Sequence, residues 1–408
     1  MLPSSSFVSS ASHPAAASTT YLIRTAAGAE VVMGRGMPAF LVRVPHEAYW
    51  RRLWRLDPYR AGLAFIRGEF DIEGDLVAAI ALWLERARAL GAAYVWHSLR
   101  PYLRVEHWRQ SRRTARRNIT FHYDRSDAFY RSFLDQRLVY SCAYFSDARQ
   151  SLDDAQLGKL NHVCRKLDLH AGETFLDIGC GWGALIVHAA SLYGAHALGC
   201  TLSQRQHDAA EAAIATHGLE RRARVVLSDY RDVSGRFDKI ASVGMVEHVG
   251  RRRLGGYFKT LAALTTPSGL VLNHGIMRPS TSRPDASTHF LQQRVFPGAE
   301  LPSLKDTIVA AERAGLEVLD VENLRPHYAL TCRAWVERLR SNRDQCLATV
   351  DVETYRTWLL YLAASSAMFE HGVCDIYQVL LAKRSPQQRR HLTRTYMYGE
   401  AGGGDASR

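Results

Sequence analysis

The chain has no apolar run long enough to cross a bilayer. Its longest one in the N-terminal third, Leu76 to Leu84, stops at Glu85, well short of the roughly 20 residues a spanning helix needs. Residues 1–20 are rich in Ser and Ala but have neither a basic start nor a continuous apolar stretch, so they read as a disordered tail and not as a signal peptide. Paired cysteines are missing as well. The seven cysteines run from Cys142 to Cys374 without a C-x-x-C, and the odd count argues against a disulfide framework or a zinc site. A reducing cytoplasm is therefore expected, with no metal. Internal repeats are also absent.

What is present points to a soluble globular protein: 408 residues, 47% hydrophobic and 23% charged, enough for one large or two ordinary domains. The net charge of +12 calls for an anionic partner surface. Trp108 to Arg117 carries Arg109, Arg112, Arg113, Arg116 and Arg117 and no acid. It is either a solvated linker or a patch set against phosphates, with Trp108 and Tyr102 as interfacial aromatics. Nucleic-acid binding would require aromatic platforms or base-reading motifs among these arginines. Neither occurs, so no nucleic-acid partner is expected.

The chain is organised around FLDIGCGWG, Phe175 to Gly183. An apolar run interrupted by Asp177 and followed by Gly179, Gly181 and Gly183 is the pattern of a buried parallel strand turning sharply into a helix. Glycines let the backbone approach a ligand closely, and the free N–H groups of the next helix point at it. The same letters satisfy the dinucleotide pattern G-x-G-x-x-G/A. However, the second strand, Ala195 to Leu202, ends in Thr201 and Ser203, with no Asp or Glu to hold an NAD ribose. S-adenosylmethionine is the better expectation.

The β/α alternation continues with a helix over Ser203 to His217, then strands at Arg224 to Ser228, Phe237 to Gly244 and Leu270 to His274. Asp177, Thr201, Asp229, Glu247 and His274 then fall at strand ends, which line one crevice in an open parallel sheet. Further strands are expected at Leu316 to Val321 and Ile376 to Leu381. Upstream, Val31 to Val44 has β-type residues broken by Gly34, Gly36 and Pro38, and Leu76 to Leu90 is an amphipathic helix closed by Gly91. The aromatic stretches His122 to Asp135 and Tyr140 to Phe145 are expected to form a lid, with Phe129, Phe133 and Tyr144 alternatively in the core, the reading favoured for Phe133.

YSCAYF, FLDIGCGWG, GCTLSQRQ, LSDYRDV, SVGMVEHVG, LNHGI and FPGAELPS, in that order, resemble the cyclopropane-fatty-acyl-phospholipid synthases and mycolic acid cyclopropane synthases. The likeness covers roughly residues 117–383, and FIRGEFDIEGDL, Phe65 to Leu76, resembles the N-terminal domain of the phospholipid-acting branch. It implies an α/β fold: a doubly wound, mostly parallel class I methyltransferase sheet over 118–385 with helical lid insertions. A smaller lipid-associated domain (21–105), a basic linker (106–117) and a basic flexible tail (386–408) complete the expected layout. It also implies S-adenosylmethionine, an unsaturated phospholipid acyl chain as acceptor, a homodimer, and a cytoplasmic enzyme peripheral on the inner face of the membrane.

In that family a bound bicarbonate acts as base, and the resemblance assigns it Cys142, Glu247, His274, Ile276 and Tyr328. Cofactor contacts carry over to Tyr140, Ser141, Gly179, Gly181, Thr201 and Gln206, and to Asp229 and Tyr230. The family's usual Leu-Leu-His-Thr reads LNHGI here, with Asn273 and Gly275 as departures. Ring closure is the implied outcome, because Glu247 and His274 can serve loss of a proton from the transferred methyl, directly or by orienting the ion. Tyr140, Tyr144, Phe145 and Trp182 can face the cation that methyl transfer creates. Simple acyl-chain methylation and small-molecule N-methylation use the same scaffold and stay open.

Overall fold

The computed structural model describes residues 19–56, 58–89, 126–281, 300–384 and 391–398. The arginine-rich segment Trp108 to Arg117, His122 to Arg125 of the aromatic stretch and most of both tails lie outside them. The N-terminal part is a sheet of order β2-β1-β3-β4, made of β1 (Tyr21–Thr25), β2 (Glu30–Met33), β3 (Phe40–Val44) and β4 (Asp71–Gly74). With it go α1 (Glu47–Leu53), α2 (Pro58–Ile66) and α3 (Leu76–Ala89). Alternation in β1 and β3 buries Tyr21, Ile23, Phe40, Val42 and Val44 on one face, as a period of two requires.

The remainder carries α4 (Asp127–Arg131), α5 (Leu152–Lys166), β5 (Thr174–Ile178), α6 (Ala184–Leu192), β6 (His196–Thr201), α7 (Gln204–Thr216), β7 (Ala223–Leu227), β8 (Phe237–Val243), α8 (Leu254–Leu264) and β9 (Thr265–Met277). It continues with α9 (Leu304–Arg313), β10 (Leu316–Asn323), α10 (Arg325–Ser341), α11 (Arg343–Leu347), α12 (Val352–Glu370), β11 (Asp375–Lys383) and α13 (Thr395–Tyr398). The seven strands β5 to β11 stand in the order β10-β11-β9-β8-β5-β6-β7. From β9 to β7 neighbours run parallel, and β11 and β10 close the other edge antiparallel. This is the expected methyltransferase fold.

β5 lies at the heart of the sheet with Phe175, Leu176, Asp177 and Ile178 all buried, which is why the run is apolar apart from one residue. Ser151 and Ser203 start α5 and α7 by accepting the N–H of Asp154 and Gln206, the usual use of a serine N-cap. The N-terminal sheet shares one apolar cluster with α10 and α12: Phe40, Phe65 and Leu76 pack in the same cluster as Trp335, Trp358 and Leu362. Arginines on those helices complete the seam. Arg356 donates to the carbonyls of Phe65 (2.6 Å) and Phe70 (2.9 Å), Arg340 to those of Ile72 (2.9 Å) and Gly74, and Arg333 pairs with Asp75. Among the described residues, no helix is long and apolar enough to cross a membrane.

Candidate functional site

The carboxyl ends of β5, β6, β7 and β8 open into one cavity. Tyr140, Ser141, Asp177, Gly179, Gly181, Thr201, Gln206, Asp229 and Tyr230 all line it, as a switch point in a doubly wound sheet predicts. Gly181 has φ +54°, and a Cβ built on it meets nothing within 4 Å, so its face is bare towards the cavity. Gly179 has φ +79° and its missing Cβ would lie 3.3 Å from Met245 Cγ. Gly183 departs from expectation and is not in the cavity wall. A Cβ there would come within 2.9 Å of Ala210 Cβ on α7, so its glycine lets α6 start close against α7.

Thr201 donates its hydroxyl to Gln206 Oε1 at 2.8 Å, fixing that side chain at the cavity. Asp229 caps the short turn over residues 230–232 and accepts from Arg231 N (3.0 Å) and Nε (2.7 Å). Asp177 is 3% exposed, its Oδ1 has no partner, and burial lifts its carboxyl to about 7 against the pull of Lys159. Sequence reasoning missed Lys159, a buried lysine on α5 that lines the same cavity, and His248, held to about 4 by burial. The signal for Lys159 was a lysine on the helix face it shares with Ala155, Leu160 and Val163, all buried. His248 was visible as the second letter of the Glu-His pair.

Cys142, Glu247, His274, Ile276 and Tyr328 do not line this cavity. All but the half-buried Ile276 are buried, and the interactions among them run from Glu247 to Ile276 and from Tyr328 to Cys142 and Glu247. Glu247 sits in a 3-10 turn over residues 246–248, just after β8. Its Oε1 accepts the Ile276 N–H at 2.7 Å, Oε2 has no partner, and burial raises its carboxyl to about 7. His274 and Ile276 share one face of β9. His274 Nδ1 faces Gln378 Nε2 at 3.2 Å, so Nδ1 accepts and the ring, held neutral with its pKa near 3 by burial, carries its proton on an unpartnered Nε2.

The Cys142 thiol is fully buried, donates to Ala143 O at 3.2 Å and is pushed upward by burial, which makes it a neutral donor. Tyr328 lies in the first turn of α10. Burial, then Cys332, Tyr361, Cys142 and Glu247, drive its hydroxyl upward, so its phenol stays protonated within the field of two of the expected partners.

One expectation is corrected by the local structure. His274 is not at a strand end: β9 continues to Met277, because β11 pairs Asp375 with Met277 and Ile376 with Ile276. The departures from the family pattern also find a place. Tyr257 on α8 donates to Asn273 Oδ1 at 2.8 Å and meets Ser242 Oγ at 2.8 Å, so Asn273 serves the opposite face of the strand from His274. At Gly275 a Cβ would overlap Val246 Cγ1. The bare backbone lets the Glu247 turn sit directly on β9.

The aromatics divide between cavity and core. Phe129 and Phe133 are fully buried. Tyr144 is stacked between His162 (4.2 Å) and His327 (4.6 Å) and does not line the cavity, whereas Tyr140 and Trp182 do. Trp182, inside the glycine turn, packs on Tyr130 of α4 at 4.9 Å and donates its indole N–H to Asp127 Oδ1 at 3.0 Å. Part of the expected lid is thus a fixed wall.

Residues 110–379 match the pattern of the mycolic acid cyclopropane synthetase family. A probable fatty acid methyltransferase of Pseudomonas putida is 41% identical over 344 residues, 83% of this chain and 86% of its own. A tuberculostearic acid methyltransferase of Mycobacterium tuberculosis is 39% identical over 288 residues, 68% of this chain and 67% of its own. Among solved structures, a mycolic acid cyclopropane synthase complexed with SAH and CTAB superposes with a TM-score of 0.63 at 33% identity, covering 66% of this chain and 98% of that one. With the family pattern spanning the glycine turn, the Glu247 turn, β9 and Tyr328, this chain belongs to the mycolic acid cyclopropane synthetase family.

Proposed function

We propose that the chain is an S-adenosylmethionine-dependent methyltransferase acting on the double bond of an unsaturated fatty acyl chain. The observation that carries this reading is the adjacency of two unlike sites. One is a glycine-walled cavity that suits a nucleoside cofactor, and the other is a buried, proton-handling group under an aromatic wall. Gly181, bare towards the cavity, and the unpartnered Asp177 Oδ1 fit the cofactor. Tyr140, Ser141, Thr201, Gln206 and the turn after β7 would hold its remaining polar groups. The bound cofactor supplies an electrophilic methyl group.

Methyl transfer to an alkene leaves a carbon cation, which must lose a proton to give a stable product with one extra CH2 unit. Tyr140 and Trp182 present aromatic faces to such a charge, and exclusion of water protects it. Glu247 Oε2 and the His274 Nε2–H, both buried and without partners, fit a small oxyanion such as bicarbonate that accepts from the imidazole and shares a proton with the carboxyl. When bound, that ion supplies the base. The Tyr328 phenol, kept protonated by burial and within the field of Glu247, would add a further donor.

The relatives named as a probable fatty acid methyltransferase and a tuberculostearic acid methyltransferase favour a methylated acyl chain over the cyclopropane that the sequence motifs imply. Both outcomes share the transfer step and part at the proton that leaves. We place the substrate on a membrane phospholipid, reached by a homodimer from a bilayer face that the described residues do not cross. Mass spectrometry of lipids from a host expressing the chain tests the function: unsaturated acyl chains should gain one CH2 unit. Proton NMR then separates upfield ring protons from olefinic or methyl-branch signals. Absence of any gain, with cofactor binding intact, overturns the acyl substrate. Full turnover in bicarbonate-free buffer overturns the ion.

A further inference from the structure

Lys159 is a charge that the motifs leave unexplained. It sits midway along α5 with 3% exposure, on the wall of the cavity beside Ser141 and Asp177. Among the described residues its ammonium donates to one acceptor, Ser141 Oγ at 3.1 Å, and forms no ion pair. The acids that face it are Asp135 and Asp177. Asp135 is already occupied, accepting the N–H groups of Arg137 (3.0 Å) and Val139 (2.8 Å). Asp177 is itself a buried carboxyl with an unpartnered oxygen. A buried ammonium with one hydroxyl acceptor is under-satisfied. The two acids act on it through charge without a direct hydrogen bond, so its ammonium keeps hydrogens free for an acceptor in the cavity.

We infer that Lys159, with Ser141, recognises the α-carboxylate of the cofactor's methionyl end, leaving Asp177 free to take its ammonium. This rests on the reading of the cavity as the S-adenosylmethionine site. The charges allow only this end there. The adenosine portion is neutral and offers a cation only uncharged acceptors, the sulfonium repels one, and the carboxylate alone brings the opposite charge to a buried ammonium. The opposite wall has its own arrangement, where Asp229 is engaged by Arg231 and Arg253 is exposed to solvent. Such recognition also orients the ligand, because a cofactor entering the other way round would set its sulfonium away from the Tyr140 and Trp182 rings.

The test is a pair of ligands that differ in one group: S-adenosylhomocysteine and its decarboxylated analogue, titrated calorimetrically into the full-length protein. Wild type should prefer the carboxylate-bearing ligand by roughly 10- to 100-fold, the range of a charge-assisted hydrogen bond. Lys159→Met should erase the preference by weakening S-adenosylhomocysteine while leaving the analogue's affinity in place, which also reports that the variant is folded. Lys159→Gln should do the same, and Ser141→Ala should shift the preference less. Equal binding of the two ligands by wild type overturns the proposal and leaves the cofactor reading intact. Equal weakening of both in Lys159→Met makes the lysine merely structural and overturns it too. Loss of the preference in Arg253→Gln instead places the carboxylate at the other wall. Failure of wild type to bind either ligand removes the cofactor reading, and this proposal with it.

Discussion

Where the cavity is made of turns between neighbouring strands, the buried group behind it draws its parts from across the chain. Thr201 and Gln206 are five residues apart and bond to each other. Glu247 is joined to Ile276 29 positions on, and Cys142 reaches towards Leu324 O at 3.9 Å, 182 positions away. The first kind of site follows from local rules of turn and cap. The second exists only once the sheet is assembled and α10 has docked. They differ in chemistry as well: the cavity offers backbone and polar contacts at a crevice, whereas the inner group consists of neutral or half-protonated side chains held out of water.

The contrast predicts separable failures. Glu247→Gln should lower turnover by about 10³-fold, within the usual range for loss of a positioned acid or base, while calorimetry finds S-adenosylhomocysteine affinity unchanged. Parallel loss of both would merge the two sites. Gly181→Val should do the reverse, weakening cofactor binding by about 100-fold, since a β-branched residue at positive φ is strained and its side chain points into the cavity. Normal affinity in that variant would move the ligand elsewhere.

A subtler probe is Gly275→Ala. Its methyl would strike Val246 and push the Glu247 turn off β9. We expect a stability loss of about 1–3 kcal/mol by denaturant titration, as for overpacked cores, with a fall in turnover and little change in cofactor affinity. The smallest effect is a pH dependence. Glu247 and Asp177 are both raised to about 7 by burial, so the stability tied to their protonated forms is fully present below their unfolded values near 4. It is lost as the pH climbs through about 7. In the ligand-free protein, Glu247→Gln should therefore raise the Tm by a few degrees at pH 8 and leave it unchanged at pH 4. A gain of equal size at both pH values would mean that charge burial is not the cause.

Much of the parallel half of the sheet was legible before any coordinates. β6, β7 and β8 lie within one or two residues of the apolar runs that announced them, because a buried strand flanked by turn residues writes itself locally. β9 was read short, as Leu270 to His274, since its extension to Met277 depends on pairing with a strand a hundred residues later. β1 passed unread among mixed residues, and its burial needs the face that β3, α10 and α12 provide. In the site, the positions expected to meet the cofactor reached one cavity, with one exception. Gly183 did not, because a glycine required for helix packing and one required by a ligand look alike in a one-dimensional string. Lys159 escaped notice because a lysine in an amphipathic helix reads first as a solvated charge, and only its place on the face of Ala155, Leu160 and Val163 says otherwise.

The link between Trp182 and Asp127 has a mechanical meaning. The ring belongs to the glycine turn by sequence and to the aromatic wall by packing, since it leans on Tyr130 and is tied to the first residue of α4. Any adjustment of the turn around its ligand must carry the indole, and the indole must carry the wall. The glycine turn and the aromatic wall are therefore one mechanical unit, and a change at Trp182 bears on both.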